Sequence, residues 1–213
     1  MLIIEGADHL GKTVAAKELV SMAADVAERS MIKIRAAEAK SETAEWEDGV
    51  DGLCFTYKDF PYPIRYAHMS RPNASFNFFE DYRDILSMYA VQDRFHLGSL
   101  VWHEDVMDEA KLRLIESWLA ALGSIVVVFY TTNEEWYIRH LENGKDELFT
   151  VEQLLVANRK YTDMATGTFT PQPRVDFPIL VDPENGFPFP TPAQLMAILD
   201  KWLMLLFPLP RIG

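Results

Sequence analysis

Eight residues near the start of the chain concentrate the chemistry. Gly6-Ala7-Asp8-His9-Leu10-Gly11-Lys12-Thr13 fits the spacing G-x-x-x-x-G-K-[ST] of a phosphate-binding loop. Glycines at these positions let backbone N–H groups turn inward around phosphate oxygens. A helix starting at Lys12 adds partial positive charge at the same place. Lys12 is long enough to reach terminal phosphates, and the Thr13 hydroxyl is a Mg²⁺ ligand in such loops. The bland alternative is a chance Gly-Lys turn before a helix. The context opposes it. Met1 to Glu5 is an apolar run that leads in as a strand, and Ala15, Ala16, Leu19, Val20 and Ala23 recur at helical spacing on the way out.

A second constellation is Asp93-Arg94-Phe95, just past the apolar run Met88 to Val91. An Asp and an Arg at the carboxyl end of a central strand face the crevice where open α/β sheets bind ligands. Asp93 can accept a hydroxyl proton or hold Mg²⁺ through water, and Arg94 can stabilise charge on phosphoryl oxygens. A purely structural Asp–Arg pair is the competing account. A third segment, about 136–165, carries Arg139, Lys145 and Arg159 around a turn between two predicted helices. It fits a basic lid that closes over phosphates and excludes water, with Arg139 the leading residue; an ordinary charged helical hairpin fits as well. For an acceptor base, Phe76, Phe78, Phe79 and Tyr82 offer stacking surfaces, although aromatics at helical spacing also build cores. Arg83 on the same helix can read a carbonyl or a phosphate. His96 and His103 lack companion ligands at metal spacing and are either structural or adjacent to substrate.

Strands must position these groups, and the pattern supplies them. Met1–Glu5, Ile64–Met69, Met88–Val91, Ser124–Tyr130 and Phe177–Val181 read as strands, apolar on both faces. Helices are predicted over Phe76–Ser87, Asp108–Leu122 with Gly123 at its end, Glu134 to about Glu142, Val151 to about Met164, and from Thr191-Pro192 to about Leu206. The alternation predicts an α/β fold, a parallel five-stranded sheet with helices on both faces. About 30–63 reads as an insertion or a lengthened helix followed by a loop, and its acidic cluster from Glu42 to Asp51 as a solvated face.

The chain has 213 residues, a single-domain length, with 20 basic and 32 acidic residues and a net charge of −12. That charge opposes strong non-specific binding to nucleic acid and favours a small substrate. The lone Cys54 excludes an intramolecular disulfide and a multi-cysteine zinc site. No apolar run is long enough to span a bilayer and no signal peptide precedes the first strand, so no membrane partner and a cytoplasmic location are expected, host cytoplasm if the source is viral.

The first two motifs carry a resemblance. Ile3-Ile4-Glu5-Gly6-Ala7-Asp8, closed by Gly11-Lys12-Thr13, resembles the opening strand and loop of thymidylate kinases. Asp93-Arg94-Phe95 with Ser99 resembles that family's Asp-Arg-aromatic motif and its following Ser. The order of strands and helices extends the likeness over most of the chain. The resemblance implies a P-loop NTPase three-layer fold of nucleotide-kinase type, with ATP and Mg²⁺ as cofactors. It implies Lys12, Asp93, Arg94 and Arg139 as catalytic residues, and Thr13 with Asp93 beside the metal. Arg71, Phe79, Arg83 and His96 would line the acceptor site. Two features depart from the family. Ser70-Arg71-Pro72-Asn73 stands where Arg-Glu-Pro-Gly is usual, and Val101-Trp102-His103 replaces the Tyr-Gln pair. The run Asp93-Arg94-Phe95-His96-Leu97-Gly98-Ser99 is more similar to divergent thymidylate-kinase-like proteins of bacteriophages. One branch of those phosphorylates the hydroxymethyl group of 5-hydroxymethyluracil within DNA.

The expected function is therefore transfer of the ATP γ-phosphate to a thymidine-like pyrimidine deoxynucleotide, dTMP or a modified dUMP. Its partner would be that nucleotide or modified pyrimidine, free or within DNA; a homodimer is left open. The alternatives are a 5-hydroxymethyluracil DNA kinase and an NTP-hydrolysing switch or binding module. Against the switch, no Asp-x-x-Gly motif follows the loop and no Asn/Thr-Lys-x-Asp motif is present.

Overall fold

The computed structural model describes residues 1–35, 44–49, 52–57, 65–68, 90–102, 107–143, 149–187 and 190–206. The strands are β1 (Leu2–Gly6), β2 (Ala44–Gly49), β3 (Gly52–Tyr57), β4 (Arg65–His68), β5 (Ala90–Asp93), β6 (Ile125–Tyr130) and β7 (Phe177–Leu180). The helices are α1 (Lys12–Arg35), α2 (His96–Trp102), α3 (Glu109–Ala121), α4 (Glu134–Asn143), α5 (Val151–Thr166) and α6 (Pro192–Leu206).

β1 is Leu-Ile-Ile-Glu-Gly and β6 is Ile-Val-Val-Val-Phe-Tyr, and β1 is buried along its whole length. Apolar side chains on both faces are what a strand needs between two helical layers. β1 accordingly pairs in parallel with β5 on one side and β6 on the other, with Ile4 opposite Asp93 and Val127. β7 continues the sheet in parallel beyond β6. Around this four-stranded parallel centre lie two helical groups: α1 against α6, and α5 against α2, α4 and β6. Among the described residues the sheet has seven strands, in the order β2-β3-β4-β5-β1-β6-β7.

The sheet is larger than the expected five parallel strands, which are present as β4-β5-β1-β6-β7. β4 lies parallel to β5, but β3 and β2 add an antiparallel hairpin at that edge, in register from Ala44↔Tyr57 to Gly49↔Gly52. The hairpin falls within 30–63, where an insertion or a lengthened helix followed by a loop is expected. The run Ala-Glu-Trp-Glu has the period of two of a strand, which the surrounding acidic residues obscure in the sequence. The lengthened helix does occur, with α1 running to Arg35. The predicted helix over Phe76–Ser87 lies outside the described residues.

The remaining elements follow from caps and apolar spacing. Along α1, Ala15, Ala16, Leu19, Val20 and Ala23 are buried while Lys17, Glu18 and Ser21 face outward. The Asp108 side chain accepts from the Lys111 N–H at 2.8 Å and starts α3, which buries Leu112, Ile115 and Leu119. Thr150 and Gln153 form a capping box at the start of α5, and Gly167 ends it in a left-handed conformation. Thr191 and Gln194 make the same reciprocal pair ahead of α6. No helix among the described residues is long and apolar enough to cross a membrane.

Candidate active site

The first crossover from β1 to α1 creates the site. At Gly6 the backbone turns with φ 134°, and a Cβ there would lie 2.2 Å from the Phe129 carbonyl oxygen of β6. Only glycine lets the chain leave the sheet this close to its neighbour. The loop then carries left-handed residues at His9 (φ 61°) and Gly11 (φ 82°) before α1 begins at Lys12.

Three successive loop carbonyls each meet a side chain. The Lys12 ammonium donates to the Ala7 carbonyl at 2.6 Å. The Tyr137 hydroxyl donates to the Asp8 carbonyl at 2.9 Å. His140 Nε2 lies 3.2 Å from the His9 carbonyl oxygen. Tyr137 and His140 lie one turn apart on α4, and the His140 ring stacks on Trp136 with centroids 5.1 Å apart.

Asp93 is the last residue of β5, so its carboxylate stands beside the loop. It is fully buried and accepts from the Thr13 hydroxyl at 2.7 Å. A hydroxyl and a carboxylate are the hard oxygen donors that Mg²⁺ takes, and that ion is ordinarily held by one or two carboxylates with substrate phosphates completing its shell. Among the described residues no group of three or more His, Cys, Asp or Glu could hold a metal. Arg94, the next residue, turns with φ 65° and donates its backbone N–H to the Ile4 carbonyl at 2.8 Å. Its guanidinium pairs with the Asp8 carboxylate, which also takes Lys12 at 3.3 Å. Lys12 is buried, and burial lowers its pKa from the ordinary lysine value; the nearby Asp93 and Glu5 charges oppose the shift. The cluster thus sets two cations, Lys12 and Arg94, against two carboxylates, Asp8 and Asp93, at the carboxyl ends of adjacent parallel strands. That is where sheets of this kind receive ligands.

The structure therefore brings Gly6, Ala7, Asp8, His9, Leu10, Gly11, Lys12, Thr13, Asp93 and Arg94 together. Arg139 is on α4, but its guanidinium pairs with Glu184 at 2.6 Å. The α4 residues that touch the loop are Tyr137 and His140. Arg159 likewise pairs with Glu134 at 2.5 Å. His96 is wholly buried at the start of α2, edge-on to Phe95, and neither ring nitrogen has a partner among the described residues. Burial, with a smaller contribution from Arg174, pushes its pKa down to about 3, so the ring is neutral. Arg71, Phe79 and Arg83 lie outside the described residues, as do His103 and Lys145.

Three residues of the site escape sequence reasoning. Tyr137 and His140 had no signal beyond their spacing of three on a helix. Glu5 had one: a carboxylate within an otherwise apolar strand. It is fully buried, and its Oε1 accepts the N–H groups of Phe95 (2.7 Å), Leu97 (2.9 Å) and Gly98 (3.3 Å). Its Oε2 lies 3.4 Å from the Tyr161 hydroxyl of α5.

No protein-family model matches this chain, and no curated protein matches it at a significant level.

Proposed function

We propose that this chain is an ATP- and Mg²⁺-dependent kinase of the P-loop type that phosphorylates a thymidine-like pyrimidine deoxynucleotide. The observation that carries the reading is the convergence of Lys12, Thr13, Asp93 and Arg94 on one loop at the ends of β1 and β5. Phosphoryl transfer needs little covalent help from the protein; it needs positioning and compensation of the charge that builds on the phosphoryl oxygens. Lys12 and Arg94, both paired with Asp8, supply that compensation. Bound ATP and Mg²⁺ would supply the transferable phosphoryl group and its metal, held by the 6–13 loop, the Thr13 hydroxyl and the Asp93 carboxylate. The alternative role for Asp93 is that of the base that takes the acceptor's hydroxyl proton.

The test is a transfer assay with γ-labelled ATP and Mg²⁺, offering dTMP, 5-hydroxymethyl-dUMP, deoxynucleosides and hydroxymethyluracil-containing DNA in parallel. Label on a free nucleotide is the expected result. Label on the DNA alone would replace this acceptor with the base in DNA, a reading favoured by Ser70-Arg71-Pro72-Asn73 standing in place of the acceptor-phosphate motif. Phosphate release without any labelled acceptor would make the chain a switch and overturn the kinase reading.

A further inference from the structure

Glu5 is not among the residues proposed for phosphoryl transfer, yet it holds the segment beside them. It lies immediately before the loop on β1, and it collects three N–H groups from the segment that follows Asp93 and Arg94. A buried carboxylate is costly unless it is well bonded, so its retention within an apolar strand calls for a task. The segment it grips begins with a strained residue. Arg94 adopts φ 65°, a conformation L residues take only where the surroundings impose it. Two anchors impose it here, both from β1: the Ile4 carbonyl on the Arg94 N–H, and the Glu5 carboxylate on three of the next four amides.

We propose that Glu5 is a positioning residue of the phosphoryl-transfer site: by gathering the Phe95, Leu97 and Gly98 N–H groups it fixes the turn that aims Arg94 at the phosphate loop. The assignment rests on the proposed kinase function for its catalytic consequence, and on geometry alone for its structural one. The ionisable groups that face Glu5 are Lys12 at the start of α1, Arg94 in the turn and Tyr161 on α5. α2 presents backbone N–H groups to it. Burial raises the Glu5 pKa to about 7, against the pull of the three amides and of Arg94. The charged form is the better acceptor for all three amides. As pH falls through about 7 the carboxylate is protonated, the grip loosens and Arg94 loses its aim.

The experiment uses the full chain and Glu5→Gln, which keeps the shape and removes the charge. Turnover and KM for ATP are followed from about pH 5.5 to about 8.5. In parallel, amide hydrogen exchange of Phe95, Leu97 and Gly98 is followed, corrected for its intrinsic pH dependence. Glu5→Gln is expected to lower kcat about a hundredfold with KM for ATP within about threefold, and to abolish the wild-type decline below about pH 7. Protection of the three amides in the wild type should fall as pH drops through about 7, and in Glu5→Gln it should be low throughout. Amide protection in the wild type that is constant across that range overturns the proposal, as does a variant with wild-type kcat and pH profile. If the wild type labels no acceptor, the kinase reading fails, and amide exchange still decides whether Glu5 holds the Arg94 turn.

Discussion

Lys12 separates function from stability. Its ammonium is buried and its pKa is lowered by that burial, so folding gains little from the charge itself. Lys12→Ala should reduce phosphoryl transfer by about 10²–10³-fold while the chain stays folded at the assay temperature. Parallel loss of both would make Lys12 a structural residue. Gly6 is the opposite case. In Gly6→Ala the new methyl meets the Phe129 carbonyl at 2.2 Å in a conformation L residues avoid, so the variant should be destabilised by more than about 3 kcal/mol in denaturant titration. At this scale the sequence was most informative. Loop, lysine, Thr13, Asp93 and Arg94 were legible because each belongs to a motif with fixed spacing. Tyr137, His140 and Glu5 were not, because hydrogen bonding to a backbone across the fold leaves no local pattern.

Elements explain what the motifs could not. The start of α6 was readable from its cap at Thr191, whereas the capping box at Thr150 emerges only in the structure. Thr150→Ala removes one half of a capping box and should cost about 1 kcal/mol. In a chain of this size that lowers Tm by about 2–4 °C, measurable by calorimetry. Arg139 shows the limit of helix arithmetic. The sequence places it on the right helix, but orientation about the axis comes from packing, and packing turns Tyr137 and His140 to the loop and Arg139 to Glu184. The β2–β3 hairpin was missed for a related reason. An edge strand tolerates charged residues, so the acidic cluster does not argue against one.

For the whole molecule, two buried groups give stability opposite dependences on pH. His96 binds its proton at about 6.5 when unfolded and at about 3 when folded. The unfolded chain therefore holds more protons in that window, and stability falls as pH drops through it. Glu5 is the reverse, with 4.5 unfolded and about 7 folded, so it weakens the fold as pH rises from 4.5 to about 7. The slopes oppose one another between 4.5 and 6.5 and leave His96 alone below that. Unfolding free energies of wild type and His96→Leu should diverge by about 1.4 kcal/mol per pH unit on acidification below 6.5. Against Glu5→Gln the wild type should instead lose ground as pH rises towards about 7. Two curves that stay parallel to the wild type would remove both assignments. The net charge of −12 describes the molecule as a whole, whereas the cluster beside Asp93 balances two cations against two carboxylates.

The three moored carbonyls of the loop have a thermodynamic consequence. Lys12 from α1, and Tyr137 and His140 from α4, restrain residues 7 to 9. A segment fixed in this way has given up its conformational freedom on folding, so a ligand that settles there has little ordering left to impose. Tyr137→Phe touches no ligand on this account. It should weaken binding through a less favourable entropy with nearly unchanged enthalpy, a difference that calorimetric titration with ATP resolves.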